Sequence, residues 1–279
     1  QPLVPKTLGF LAKISLQNKI NDLNYNDLLF KRISQLARVL NLICCAFLIL
    51  IPFYHFRNSF YKNNLSNIFF VIAIMNLINI GVLMTAPFLM LDIPTYVLFT
   101  AAASFFFRKN FLGLFATICI GVFLKQIVMV LLIPFWFLLI KENKASLILK
   151  ILFGLFPIFL FLGSRYFFSG EFSDFGQLGY DITQDPFEFR YFKIHVYELG
   201  IFNFIGRILS SIGFVLIITI FIYFILKKNK DLFVVIIFMT VSILVLNLLL
   251  ASGVLRVAQV ATPFLIFYCL HVLCHEKNE

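Results

Sequence analysis

A lone carboxylate, Asp92, lies in the stretch APFLMLDIPTYVLF between two apolar runs, with Pro94 two residues on. In hydrocarbon such a charge costs on the order of a few kcal/mol unless it is paired, hydrated or bound to a metal. One reading is structural: Asp is a good helix N-cap and Pro suits the first turn. The other is chemical, and the two are compatible. Two cations sit in comparable settings: Lys125 interrupts GVFLKQIVMVLLIPF and Arg256 interrupts ASGVLRVAQVATPFLIF. Taken singly, each fits a long side chain reaching up to the interface. Taken together at one surface, two cations and a carboxylate suit a lipid-linked phosphate. The cations would stabilise a phosphate leaving group, and Asp92 would hold the acceptor or a divalent metal.

A second candidate region is the polar stretch 165–205. It mixes six acids with Arg165, Arg190 and Lys193, and interleaves them with Tyr166, Tyr180, Tyr191 and several Phe. Aromatic faces beside carboxylates such as Asp181 suit a carbohydrate, offering stacking planes and hydroxyl acceptors. The same composition suits a loop resting on a membrane interface. Arg165 is a further candidate for a phosphate, and Tyr166, Asp181, Arg190 and Tyr191 for the substrate loop.

The elements that must position these residues are apolar helices. The chain is 61% hydrophobic and 13% charged, contains 38 Phe, and has a mean hydropathy of +0.98. An ordinary soluble domain carries about a quarter charged residues. A soluble enzyme, a disulfide scaffold and a disordered chain are all excluded. Nine apolar runs are legible, at 37–56, 66–86, 93–107, 111–124, 127–140, 146–164, 206–226, 231–250 and 257–274. The third, fourth and fifth fall short of the ~20 residues of a perpendicular span. The expected fold is all-α, a polytopic transmembrane bundle over 37–279 with an outer loop at 165–205. Residues 1–36, with Leu8, Leu11 and Ile14 at helical spacing opposite Lys6 and Lys13, read as an amphipathic segment on the outer surface.

Charge supplies the orientation. If each run crosses once and 57–65 lies inside, the inner connectors hold Arg57, Lys62, Arg108, Lys109, Lys141, Lys144, Lys150, Lys227, Lys228, Lys230 and Lys277. The short outer connectors hold only Lys125 and Arg256. This asymmetry is the positive-inside pattern, and it accounts for a net charge of +10 without nucleic acid. Asp92, Lys125 and Arg256 then share the outer face, periplasmic if the membrane is a bacterial inner membrane. The five cysteines lack metal-site or disulfide spacing, and His271 and His275, four apart, read as a solvated helix end. No phosphate-cradling glycine loop, nucleophile elbow or nucleotide fingerprint is present.

Three segments resemble the polytopic GT-C glycosyltransferases, such as protein O-mannosyltransferases and lipid A aminoarabinose transferases. They are FLMLDIPTYVLFTAAASFFFRKNFLGLFATICIGVFLKQIVMVLLIPFWFLL (88–139), LRVAQVATPFLIFYCL with Arg256 and Pro263, and QPLVPKTLGFLAKI followed by FKRISQLARVLNLICC. The resemblance implies transfer of a sugar from a polyprenyl-phosphate donor to a lipid, glycan or protein acceptor on the outer face. It makes Asp92 the second acidic site residue, and makes Lys125 and Arg256 candidates for the donor phosphate. The family's principal catalytic Asp lies early in the first outer loop. A chain opening at Gln1 is therefore expected to lack that residue and the span before it, and to be an incomplete transferase. A transporter or flippase for lipid-linked saccharides is the alternative from another class, and a polysaccharide polymerase is a further one.

Overall fold

A computed structural model describes residues 11–12, 25–60, 92–124, 126–141, 146–169, 200–226, 230–250 and 259–275. All regular structure among them is helical, with no strand. The helices are α1 (Tyr25–Phe60), α2 (Asp92–Phe107), α3 (Phe111–Gly121), α4 (Leu132–Lys141), α5 (Leu147–Ser169), α6 (Ile201–Ile208), α7 (Phe214–Leu226), α8 (Lys230–Leu250) and α9 (Thr262–His275). A 3-10 turn, Gln126–Leu131, leads into α4, and another, Gln259–Ala261, leads into α9. A π-helical segment, Leu209–Gly213, joins α6 to α7. The apolar run at 66–86 lies outside the described residues; the other eight each correspond to helix.

Two boundaries differ from the sequence reading. The division at 36/37 falls inside α1, which runs 36 residues without a break. The segment 165–205 is helical at both ends, because α5 continues to Ser169 and α6 starts at Ile201. Apolar side chains explain both: Leu28, Leu29 and Ile33 carry the apolar content of α1 back before the predicted start, and Phe167–Phe168 carry α5 past Arg165. Arg165 and Tyr166 thus belong to the last turns of a helix.

Helices α2 and α9 form the centre. From Ala261 to Leu270 every residue is buried, and α2 buries Ile93, Thr95, Tyr96, Phe99, Thr100, Ala102, Ala103, Ser104 and Phe106. Around this pair pack α1, α3, α4, α7 and α8. Successive helices reverse direction through short connectors. Phe105 lies against Gly113 and Leu98 against Gly121, so α2 and α3 form an antiparallel hairpin. Its turn is made by Lys109 in the left-handed region (φ 54°) and by Asn110, whose side chain accepts from the Gly113 N–H at 2.9 Å. Trp136 donates to the Gly154 carbonyl and Lys150 to that of Ile140, which makes α4 and α5 antiparallel too. Tyr223 stacks on Phe233 with centroids 3.8 Å apart and closes the α7–α8 hairpin.

The surface is as apolar as the core. Leu42, Ile140, Leu147, Phe159, Phe202, Phe214 and Phe224 all expose large side chains. Two described helical stretches, Lys31–Arg57 and Leu147–Ser164, are long and apolar enough to cross a bilayer. Only 28% of the first and 17% of the second is buried, where the core helix of a soluble protein would be mostly covered. Contiguous apolar surface of this kind calls for a lipid or protein covering. Four interior threonine hydroxyls are satisfied locally, as a water-poor setting demands. Thr100, Thr117, Thr219 and Thr240 each donate to the carbonyl four residues back.

Candidate functional site

The two ends of the bundle are chemically distinct. At one end lie Arg57, Phe107, Arg108, Lys141, Asp231 and His271. Arg108 donates to the Tyr54 carbonyl at 3.0 Å, tying the α2–α3 turn to the end of α1. Phe107 packs on His271, Phe106 on Phe137, and Lys141 pairs with Asp231 between α4 and α8. The pair with Lys141 holds the Asp231 carboxyl below its ordinary value. His55 Nδ1 and Ser104 Oγ are 2.8 Å apart, linking α1 to α2 just inside this end. Every one of these cations had been assigned to an inner connector, and the geometry gathers them.

The opposite end contains the start of α2, the end of α3, the turn into α4 and the start of α9. Asp92 is the first residue of α2, and Pro94 falls in the first turn, where a missing N–H costs nothing. Asp92 thus stands within the first turn of the helix, and its side chain lies outside the described residues. Beyond Gly121 the chain turns at Val122–Leu124 and re-enters as the 3-10 segment from Gln126. Gly121 is required by close approach, since a Cβ there would overlap the Val128 side chain and press on Leu98. Lys125 itself lies outside the described residues, between those two segments. Arg256 also lies outside them, three residues before the turn Gln259–Ala261 that packs against α2.

One level deeper are the hydroxyls of Tyr96 and Thr262, which neighbour each other and have no further hydrogen-bond partner among the described residues. Both residues are nearly fully buried, at 3% and 1% exposure, and Thr262 is the polar neighbour of Tyr96. Local bonding cannot satisfy them. The Tyr hydroxyl stands at the far end of its ring, away from its own backbone. Thr262 opens α9 straight after a 3-10 turn and makes no back-bond of the kind Thr219 and Thr240 make. One bond between two hydroxyls leaves a donor and several lone pairs unused, so the buried pair marks a place that water or a polar ligand would complete.

Sequence reasoning missed this pair. The available signal was spacing: Tyr96 is four residues after Asp92 and so shares its helix face. Of the other candidates, Arg165 and Tyr166 lie in α5 with side chains outside the described residues, and Asp181, Arg190 and Tyr191 lie wholly outside them. No three His, Cys, Asp or Glu side chains converge as a metal site among the described residues. Asp231, the one acid whose side chain is described, and His55 and His271 all lie at the far end. The described part of the site therefore offers no second carboxylate or imidazole to join Asp92 around a cation. Cys44, Cys45, Cys119 and Cys269 are all free thiols, in or beside the apolar core. Comparison with family models, curated proteins and solved structures gives no match to this chain.

Proposed function

We propose that the chain is a multi-pass membrane glycosyltransferase of the GT-C kind, in which some nine apolar runs cross or enter the bilayer. It would move a sugar from a polyprenyl-phosphate donor to a lipid, glycan or protein acceptor. The reaction would occupy the end that carries Asp92, facing the periplasm of a bacterial inner membrane. One observation supports this reading above the rest. The described neighbours of Asp92, Lys125 and Arg256 meet at a single end, and the hydroxyls of Tyr96 and Thr262 lie buried there with no further partner among the described residues. The opposite end holds the cations of the inner connectors, which is the charge asymmetry of a protein oriented by the positive-inside rule.

The chemistry is a single inverting displacement. Asp92 accepts the proton of the acceptor hydroxyl as its oxygen attacks the anomeric carbon. The bond from that carbon to the donor phosphate oxygen breaks, and the lipid phosphate leaves with the electron pair. Lys125 and Arg256 stabilise the charge that develops on it. Arg165 is a further cation for that phosphate, and Tyr166, Asp181, Arg190 and Tyr191 are candidates to hold the sugar. No step depends on a divalent metal.

A flippase for the same lipid-linked saccharides is the second reading. Its support is the interruption of the helices, at Leu209–Gly213 between α6 and α7 and at the 3-10 turns before α4 and α9. Broken helices line substrate paths in carriers. Binding of a short-chain polyprenyl phosphate to the purified protein tests the phosphate assignment. Lys125→Ala and Arg256→Ala should each weaken it about tenfold or more, the worth of a charge-assisted hydrogen bond. Asp92→Asn should leave it intact. Unchanged binding in both cation variants would remove those residues from the site.

A further inference from the structure

We propose that the end of the bundle remote from Asp92 carries a site for an anionic phospholipid of the adjoining leaflet, its headgroup phosphate held by Arg57 and Arg108 astride the Tyr54 ring. The guanidinium carbons lie 4.6 Å and 4.9 Å from the ring centroid. Arg57 comes from the last turn of α1 and Arg108 from the turn after α2, so the ring gathers cations from two separate elements. Arg108 is held in place by its hydrogen bond to the Tyr54 carbonyl. Two like charges drawn to one exposed ring repel each other unless an anion joins them. The one acid whose side chain is described, Asp231, is engaged by Lys141. Planar guanidinium forks match the oxygens of a phosphate.

The helix above the clamp argues for a lipid over free phosphate. Ile43, Phe47, Leu50 and Tyr54 recur at spacings of four, three and four, so they form one stripe along α1. All four are exposed, by 46% to 55%. The stripe lies within the apolar stretch Lys31–Arg57 and ends at the clamp. An acyl chain along it would place its headgroup phosphate beside Arg57 and Arg108, whereas inorganic phosphate would leave the stripe uncovered. The inference rests on the membrane-embedded reading and not on sugar transfer, so an inactive enzyme would leave it standing.

Native mass spectrometry and thermal melting of the full chain in neutral detergent test the site. Phosphatidylglycerol is the probe, with phosphatidylcholine and inorganic phosphate as controls. Phosphatidylglycerol should be retained and raise the melting temperature, and neither control should do so. Its affinity should fall about fivefold in Arg57→Gln or Arg108→Gln and about thirtyfold in the double variant, as expected when each cation near an anionic surface contributes independently. Lys141→Gln, which removes another cation of the same end, should leave it unchanged. Should Arg108→Gln fail to fold for want of its bond to Tyr54, Arg57→Gln carries the test, since among the described residues the contact of Arg57 is with the ring. Equal retention of phosphatidylglycerol by wild type and Arg57→Gln would overturn the proposal. So would stabilisation by inorganic phosphate equal to that by the lipid, or retention of phosphatidylcholine equal to that of phosphatidylglycerol.

Discussion

The two ends of the bundle treat their polar groups differently. At the end near Arg108, His55 meets Ser104, Arg108 meets the Tyr54 carbonyl, Asn110 caps α3 and Lys141 meets Asp231. At the end near Asp92, the hydroxyls of Tyr96 and Thr262 are buried and have only each other among the described residues. Polar groups satisfied by their own chain hold helices together. Polar groups left unsatisfied cost stability, and a protein keeps them where something else completes them. The contrast teaches that the first end holds helices together, with the lipid proposed above only at its surface, and that the second is where a polar ligand would reach the interior.

The contrast can be broken by substitution. The largest effect on stability is expected at the close approach of Gly121 to Val128, near the end that carries Asp92. Gly121→Val forces a branched side chain into Val128 and should destabilise the protein by about 1–3 kcal/mol, lowering the melting temperature in detergent. Tyr96→Phe should change stability in the opposite direction. Its buried hydroxyl has only Thr262 beside it, so removal recovers up to about 1 kcal/mol of desolvation, and the ligand-free protein should melt higher while binding polyprenyl phosphate less tightly. If it melts lower, that hydroxyl has a further partner and the contrast fails.

At the framework end the same type of change should be harmful. Ser104→Ala removes the hydroxyl that meets His55 and should cost about 0.6–1 kcal/mol. The sign difference between Tyr96→Phe and Ser104→Ala is the sharpest form of the comparison. The smallest effect is expected at the exposed Lys141–Asp231 pair, where solvent screens the attraction. Asp231→Asn should shift the melting temperature by no more than about a degree or two. Because the folded state lowers the Asp231 carboxyl, its contribution is present above the unfolded value near 3.9 and is lost as pH falls through the folded value. Between pH 5 and 8 melting of wild type and Asp231→Asn should therefore differ by a constant amount, and the gap should close only in acid.

Much of this frame was legible in the residues. Apolar runs and the lysines and arginines between them locate the helices and sort their ends. Arg57, Arg108, Lys141 and Lys230, assigned to one side by charge, do lie at one end. That logic succeeds because a long unbroken apolar run must satisfy its backbone internally and therefore must be helix. The helix ends were less legible. Neither the continuation of α1 back to Tyr25 nor that of α5 to Ser169 crosses a Pro or Gly that would mark a stop, so polarity alone misplaced them. The two buried hydroxyls were not legible at all, because Tyr96 and Thr262 are 166 positions apart and only the packing of α2 on α9 makes them neighbours. The same limit hid the Tyr54 clamp, whose arginines are separated by two apolar runs in the sequence, 66–86 and 93–107.

The most direct test of the central claim is sugar transfer itself. The full protein, reconstituted in liposomes, would be given a labelled polyprenyl-phosphate-linked sugar and an acceptor on the outer side, beside an Asp92→Asn variant that still binds the lipid phosphate. The account predicts label in the acceptor with wild type and a loss of about a hundredfold or more with Asp92→Asn, the usual worth of a positioned general base. Wild-type transfer by Asp92→Asn, or passage of the intact lipid-linked sugar across the bilayer with no label in the acceptor, would contradict it.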